Sequence, residues 1–193
     1  MKILGIAVLI LLVAASAFWR LRSHHRRAGH AQNQKAATNG APVYMSLRNQ
    51  LLQGSRAQLG LPATSAPAEP WAALMEMGTP EGTATVVAVS DGTASIYLSS
   101  GGGYIGGGQQ HQAIRNACEN MLGFTRQYQP LMHPTRDFPL PQAGWIVFYA
   151  VTDAGVFTAG APEQELASRH DWLGNLYAAG QDIVTQYRLT SPK

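Results

Sequence analysis

The chain has 193 residues with one cysteine, Cys118, which excludes an intrachain disulfide and any multi-cysteine metal site. Its net charge of +3 hides a split: Lys2, Arg20, Arg22, Arg26, Arg27 and Lys35 precede the first acid, Glu69, and residues from Arg48 onward carry eight basic against eleven acidic groups, a net of −3. The basic pI therefore belongs to an N-terminal arm, and the remainder lacks the electrostatic footprint of a nucleic-acid binder.

Ile3 to Trp19 is a run of seventeen residues without formal charge. As a helix it would cover roughly 25 Å, the lower limit for the hydrocarbon core. Trp19 suits an interface and Arg20 can snorkel to the headgroups. A signal peptide is the rival: Lys2, the apolar Ile3–Val13 and the small-x-small Ala15-Ser16-Ala17 supply its three parts. Four arginines directly after the run oppose export and favour retention on the cytoplasmic side. The expectation is an uncleaved, single-pass signal anchor over 1–22 with a cytoplasmic C-terminal domain, the alternative being export after cleavage behind Ala17. Lipid would then be a partner of residues 3–19 and the adjacent arginines.

Residues 23–42 are polar and lack apolar periodicity, as expected of a tether. His24, His25 and His30 lie within it and read as solvated side chains, so no metal is assigned. The remaining residues 43–193 suffice for a single globular domain, with an ordered core over about 71–189. Leu47, Leu51 and Leu52 predict a short helix over 43–53, and a second spacer runs from Gly54 to Pro70. Trp71 to Met77 reads as a short helix stopping at Gly78.

Thr83–Ser90 and Thr93–Ser99 are β-rich runs flanking Asp91-Gly92, a type I′ hairpin signal. The stripe Ile114, Ala117, Cys118, Met121, Leu122 and Thr125 predicts an amphipathic helix over 109–128. Gln129–Gly144 holds four prolines and reads as a loop. Within it His133–Pro141 is either a recognition loop or a simple connector. Trp145–Thr152 and Val156–Gly160 predict a second hairpin around Asp153-Ala154-Gly155. A final helix covers about 169–189, with Leu173, Leu176, Tyr177, Ile183, Val184 and Tyr187 inward.

Strand-strand-helix thus occurs twice, and His111, Ile114 and Asn116 correspond to His170, Leu173 and Asn175. The fold class expected is α+β: an antiparallel sheet built from two β-hairpins, helices covering at least one face, preceded by one transmembrane helix. Val86-Val87-Ala88-Val89-Ser90-Asp91-Gly92 and the helix stripe after it resemble the roadblock-type, profilin-like domain over about 71–189. That resemblance implies a non-enzymatic, dimerising module that binds small GTPases or acts as a scaffold.

The chemical signals are few. Gly101, Gly102, Gly103, Gly106, Gly107 and Gly108 surround Tyr104-Ile105 between a strand and a helix. The literal GxGxxG match fails in context, because a hairpin precedes it and no βαβ unit follows. Gln109-Gln110 also stand where a phosphate loop needs lysine and a hydroxyl residue. Two readings stay open: exposed backbone N–H groups that bind an anion together with His111, or a structural turn with Tyr104-Ile105 plugging the core. If the repeats pack symmetrically, His111 and His170 would share one sheet edge, yet neither has a visible catalytic partner. Cys118 lies on an apolar stripe and reads as an inert thiol, and Asp91 and Asp153 read as turn residues. No catalytic residue and no cofactor is assigned. The function expected is a membrane-tethered, non-catalytic interaction or scaffold domain holding a partner or a second copy of itself. A small-ligand or anion-binding domain using the loop 101–108 is the alternative.

Overall fold

The computed structural model describes residues 40–190. In chain order these form α1 (Gly40–Leu52), β1 (Ala72–Thr79), β2 (Gly82–Val89), β3 (Ala94–Leu98), β4 (Gly103–Tyr104) and α2 (Gln112–Tyr128). Then come β5 (His133–Thr135), β6 (Trp145–Thr152), β7 (Gly155–Pro162), the single turn α3 (Glu163–Leu166), and α4 (Trp172–Thr190). All seven strands join one antiparallel sheet in the order β4-β3-β2-β1-β6-β7-β5.

The expected pair of hairpins is therefore corrected to one large sheet. The hairpins β2–β3 and β6–β7 do not pair with each other; β1 lies between them, with Met75 opposite Val86 on one side and Phe148 on the other. The first six residues of β1, Ala-Ala-Leu-Met-Glu-Met, are good helix formers, which is why the segment reads as a helix. Burial on both faces overrides that preference: Ala73 and Met75 join the core beneath α2 and α4, while Ala72 and Leu74 face α1. The alternation that identifies a half-buried strand is absent when both faces are apolar.

One core layer joins Ile114, Cys118 and Met121 of α2 and Leu176 and Ile183 of α4 to Val86, Ile146 and Phe148 of the sheet. The opposite layer joins Tyr44, Leu51 and Leu52 of α1 to Trp71, Val87, Tyr149 and Val151. Helices thus cover both faces. At the centre of the second layer Arg48 and Glu76 form a bidentate ion pair, Nε–Oε1 2.6 Å and Nη2–Oε2 2.8 Å. Its position ties α1 to the middle strand.

The turn between β2 and β3 also differs from expectation. A type I′ turn needs positive φ at both central residues, yet only Gly92 has it, at +84°. Gly92 N–H donates to the Val89 carbonyl at 2.9 Å, and Thr93 N–H to Asp91 Oδ1 at 2.8 Å. This is a three-residue loop in which a type I turn leads into a left-handed glycine. Within the expected loop 129–144, His133–Thr135 is recruited as an edge strand beside β7. Three residues containing Pro134 make a short edge with one donor missing, and β4 forms the other edge with two residues. Both edges thus offer little to a pairing strand.

The transmembrane helix, the signal-anchor assignment and the single-pass localisation with a cytoplasmic domain are corrected as well. No helix among the described residues is long and apolar enough to cross a membrane. The longest, α4, has 19 residues and carries Gln181, Asp182, Gln186 and Arg188, a polar side that hydrocarbon would not solvate. Residues 3–19, on which that expectation rested, lie outside the described residues, as do the tether histidines His24, His25 and His30.

Candidate functional site: the glycine loop and the open sheet face

The loop after β3 begins as a tight return. Gly101 N–H donates to the Leu98 carbonyl at 2.9 Å, Leu98 N–H donates to the Gly102 carbonyl at 3.2 Å, and Gly103-Tyr104 pairs back onto Ile96-Tyr97. Gly101, Gly102 and Gly103 all have positive φ, and a Cβ on Gly103 would lie 2.1 Å from the Ile96 carbonyl oxygen. Side chains are excluded there by geometry. Gly106 turns the chain with φ +74°, and Gly107–Gln109 forms one 3-10 turn ahead of α2. A Cβ on Gly108 would fall 1.9 Å from the Gly92 carbonyl oxygen, so this glycine lets the loop pack against the β2–β3 turn.

Tyr187, from the last turns of α4, holds the loop in place. Gly107 N–H donates to its hydroxyl at 2.9 Å, and that hydroxyl donates to the Ala94 carbonyl at 2.6 Å. Burial raises the Tyr187 pKa above its ordinary value, so the phenol stays protonated and able to donate. The Tyr104 ring stacks on Tyr187 with centroids 5.0 Å apart.

Tyr104 and Ile105 do not plug the core, contrary to the structural expectation for them. They are 49% and 71% exposed. With Gly106, Gly107, Gln110, His111, Tyr187 and Thr190 they border a shallow pocket of about 290 Å³. Gly106, Gly107 and His111 of the expected site thus meet in one place, whereas Gly101, Gly102 and Gly103 belong to the β3–β4 return and Gly108 is packed beneath. Several donors that anion binding would need are already engaged: Gly101 with Leu98, Gly106 with Ser95 Oγ at 3.3 Å, and Gly107 with Tyr187.

His111 precedes α2 with extended backbone and makes no capping hydrogen bond from its side chain. His170 is not its neighbour. The pocket of His111 contains Tyr187 and Thr190 from the C-terminal end of α4, while His170 lies before the N-terminal end. Fifteen residues of helix between Trp172 and Tyr187 span about 22 Å. The residue that caps α4 is Asp171, which accepts from Gly174 N–H at 3.1 Å and pairs with Arg169. The Arg169 hydrogen bond, with that from Gly174, lowers the Asp171 pKa.

Cys118 is fully buried, and its thiol approaches the Thr93 carbonyl at 3.3 Å. Desolvation pushes its pKa up to about 11, which leaves a protonated, unreactive thiol near neutral pH. Among the described residues no group of three or more His, Cys, Asp or Glu side chains is placed to hold a metal ion.

A second opening was not legible from the sequence. α1 covers one part of its sheet face, and over β6, β7 and β5 a cleft of about 420 Å³ remains. Val147, Thr158 and Gly160 line its sheet side, His133 and Thr135 its edge, Asp137 and Pro139 the connecting loop, and Trp145 one end. The His133–Pro141 segment therefore contributes to a cavity wall as well as connecting α2 to β6.

No protein-family model, no curated protein and no solved structure matches the chain.

Proposed function

We propose that this domain is a non-catalytic interaction module and that the Tyr104–Ile105 tip of the glycine loop is its contact point. The observation that carries this reading is the 71% exposure of Ile105 on a loop fixed by Tyr187. A large aliphatic side chain held in water by an ordered loop gains free energy when a partner covers it, and little ordering entropy is lost. The occupant proposed is a protein, either another polypeptide or a second copy of this chain. Both sheet edges are short, so contact through the loop is favoured over strand addition. The resemblance to roadblock-type domains, carried by Val86 to Gly92 and the helix after them, would imply the same class of role.

Anion binding by the loop has less support, since Gly101, Gly106 and Gly107 spend their N–H groups inside the fold. A photo-crosslinking amino acid placed at position 105 of the full chain in cells tests the proposal. Discrete adducts are expected, at twice the chain mass for self-association or at another mass for a different protein. Adducts no stronger than those from the exposed control position Glu119 would refute it.

A further inference from the structure

The cleft over β6, β7 and β5 has a lining chemistry separate from the glycine loop. Trp145 stands at its end, 42% exposed. Its indole lies against β7 where Gly160 has no side chain: a Cβ there would come within 3.1 Å of Nε1. The Nε1 edge of the indole thus lies beside the β7 backbone at Gly160 while the residue stays partly open to solvent. Asp137 is exposed on the facing loop, and the loop's turn uses its backbone N–H, which donates to Thr135 Oγ1 at 3.1 Å. The hydroxyls of the cleft are already committed: Thr158 to the Phe148 carbonyl, Tyr149 to the Pro139 carbonyl, and Thr135 to the Asp137 carbonyl. Among the described residues no lysine or arginine lines the opening; Arg136 precedes Asp137 without joining the wall.

We infer that this cleft binds a small organic ammonium group, with the cation over the Trp145 ring and its charge balanced by the Asp137 carboxylate. Three observations converge on that ligand class. An indole partly open to solvent, as Trp145 is, can attract a cation through its quadrupole, most strongly where water is partly excluded. One carboxylate meets no lysine or arginine among the described lining residues, which complements a cation, and the His133 imidazole at the β5 edge is the basic group on the same lining. The lining is otherwise mainly apolar, with Val147, Gly160 and Pro139, which suits the methyl groups of a substituted ammonium better than the hydroxyl-rich rim of a sugar. The size suits a ligand near the lower end of ordinary small-molecule sites.

Saturation-transfer NMR on the full chain tests this with choline as probe and its neutral carbon isostere, dimethylbutanol, as control. Choline is expected to bind at least about tenfold more tightly than the isostere, because only the cation gains the ring and carboxylate terms. Asp137→Asn and Trp145→Ala are each expected to remove that preference while a glucose probe gives no signal. Trp145 and Asp137 are both exposed, and unchanged melting curves would show that each variant folds; Asp137→Asn alone suffices if the tryptophan variant does not. Absence of choline binding, equal binding of the isostere, or stronger binding of glucose would overturn the inference. The photo-crosslinking result at position 105 is independent of it, since that residue lies on the other opening.

Discussion

Arg48 of α1 and Glu76 of β1 meet in a bidentate pair with 1% and 0% of their side chains exposed. Thr85 donates to Glu76 Oε1 at 3.3 Å, Tyr44 shares a 2.8 Å hydrogen bond with Thr85, and Arg48 reaches the Pro139 carbonyl at 3.4 Å. Desolvation opposes the charge on Arg48, but the hydrogen-bonded Glu76 carboxylate outweighs it and raises the pKa. Glu76 likewise adds to the desolvation that pushes the neighbouring Tyr149 phenol up to about 12. Removing one partner leaves the other buried and unpaired. Arg48→Met should therefore destabilise by about 3–5 kcal/mol, whereas Arg48→Met with Glu76→Leu should be close to neutral or more stable. Urea denaturation of the three proteins checks this, and equal losses in the single and double variants would contradict it.

Tyr187 supports the exposed loop by bridging Gly107 N–H and the Ala94 carbonyl. Tyr187→Phe keeps the ring, and hence its stacking with Tyr104, but leaves the Gly107 donor and the Ala94 acceptor without the hydroxyl. The expected cost is about 1–3 kcal/mol, with faster amide exchange at Gly107 than in the wild type. A stability loss with unchanged exchange there would show that the hydroxyl does not hold the loop.

The stripe from Ile114 to Thr125 is legible because one face of its helix is buried. Trp145–Thr152, though buried on both faces, is legible because its run of β-branched and aromatic residues favours a strand; both stand where expected. β1 was misread because its two faces are both covered and its residues favour helices. The Arg48–Glu76 pair was hidden for a related reason: the two residues are 28 apart, and the burial that makes them a pair exists only once β1 is a strand. At the candidate site the glycines were visible, but their roles divide between the β3–β4 return, the packing on Gly92, and the pocket beside His111. Ile105 gave the opposite signal from its placement, since an apolar side chain between glycine triplets looks like a plug and instead projects into solvent. The cleft beside Trp145 depends on β5 joining an edge through a proline-containing segment, which local propensity does not favour.

Stability should fall as pH rises from about 9 toward 11 because of Cys118. The ordinary thiol value is 9.0, and burial pushes the native one up to about 11. In that window the unfolded chain has lost the proton and the native chain retains it, so raising the pH favours unfolding. The contribution is present in full below 9 and lost progressively up to 11, amounting to about 2–3 kcal/mol. Cys118→Ala should flatten this part of the pH profile, measured as urea midpoints against pH. Alkylation by iodoacetamide at pH 8 should be slow in the native protein and fast once it is unfolded.

Gly123 and Gly106 separate glycines retained for geometry from one that is not. Gly123 lies on the exposed side of α2, and a Cβ there would meet nothing within 4 Å. Alanine at this position lowers the entropy of the unfolded chain and suits the helix, so Gly123→Ala should stabilise by about 0.5–1 kcal/mol. Gly106 also has open space around it, but its φ of +74° is left-handed. Gly106→Ala should accordingly destabilise by about 1–2 kcal/mol despite the absence of any clash. Thermal melts of the two variants should shift in opposite directions. A shift of the same sign in both would show that open space, and not backbone conformation, decides the effect of a side chain at these two positions.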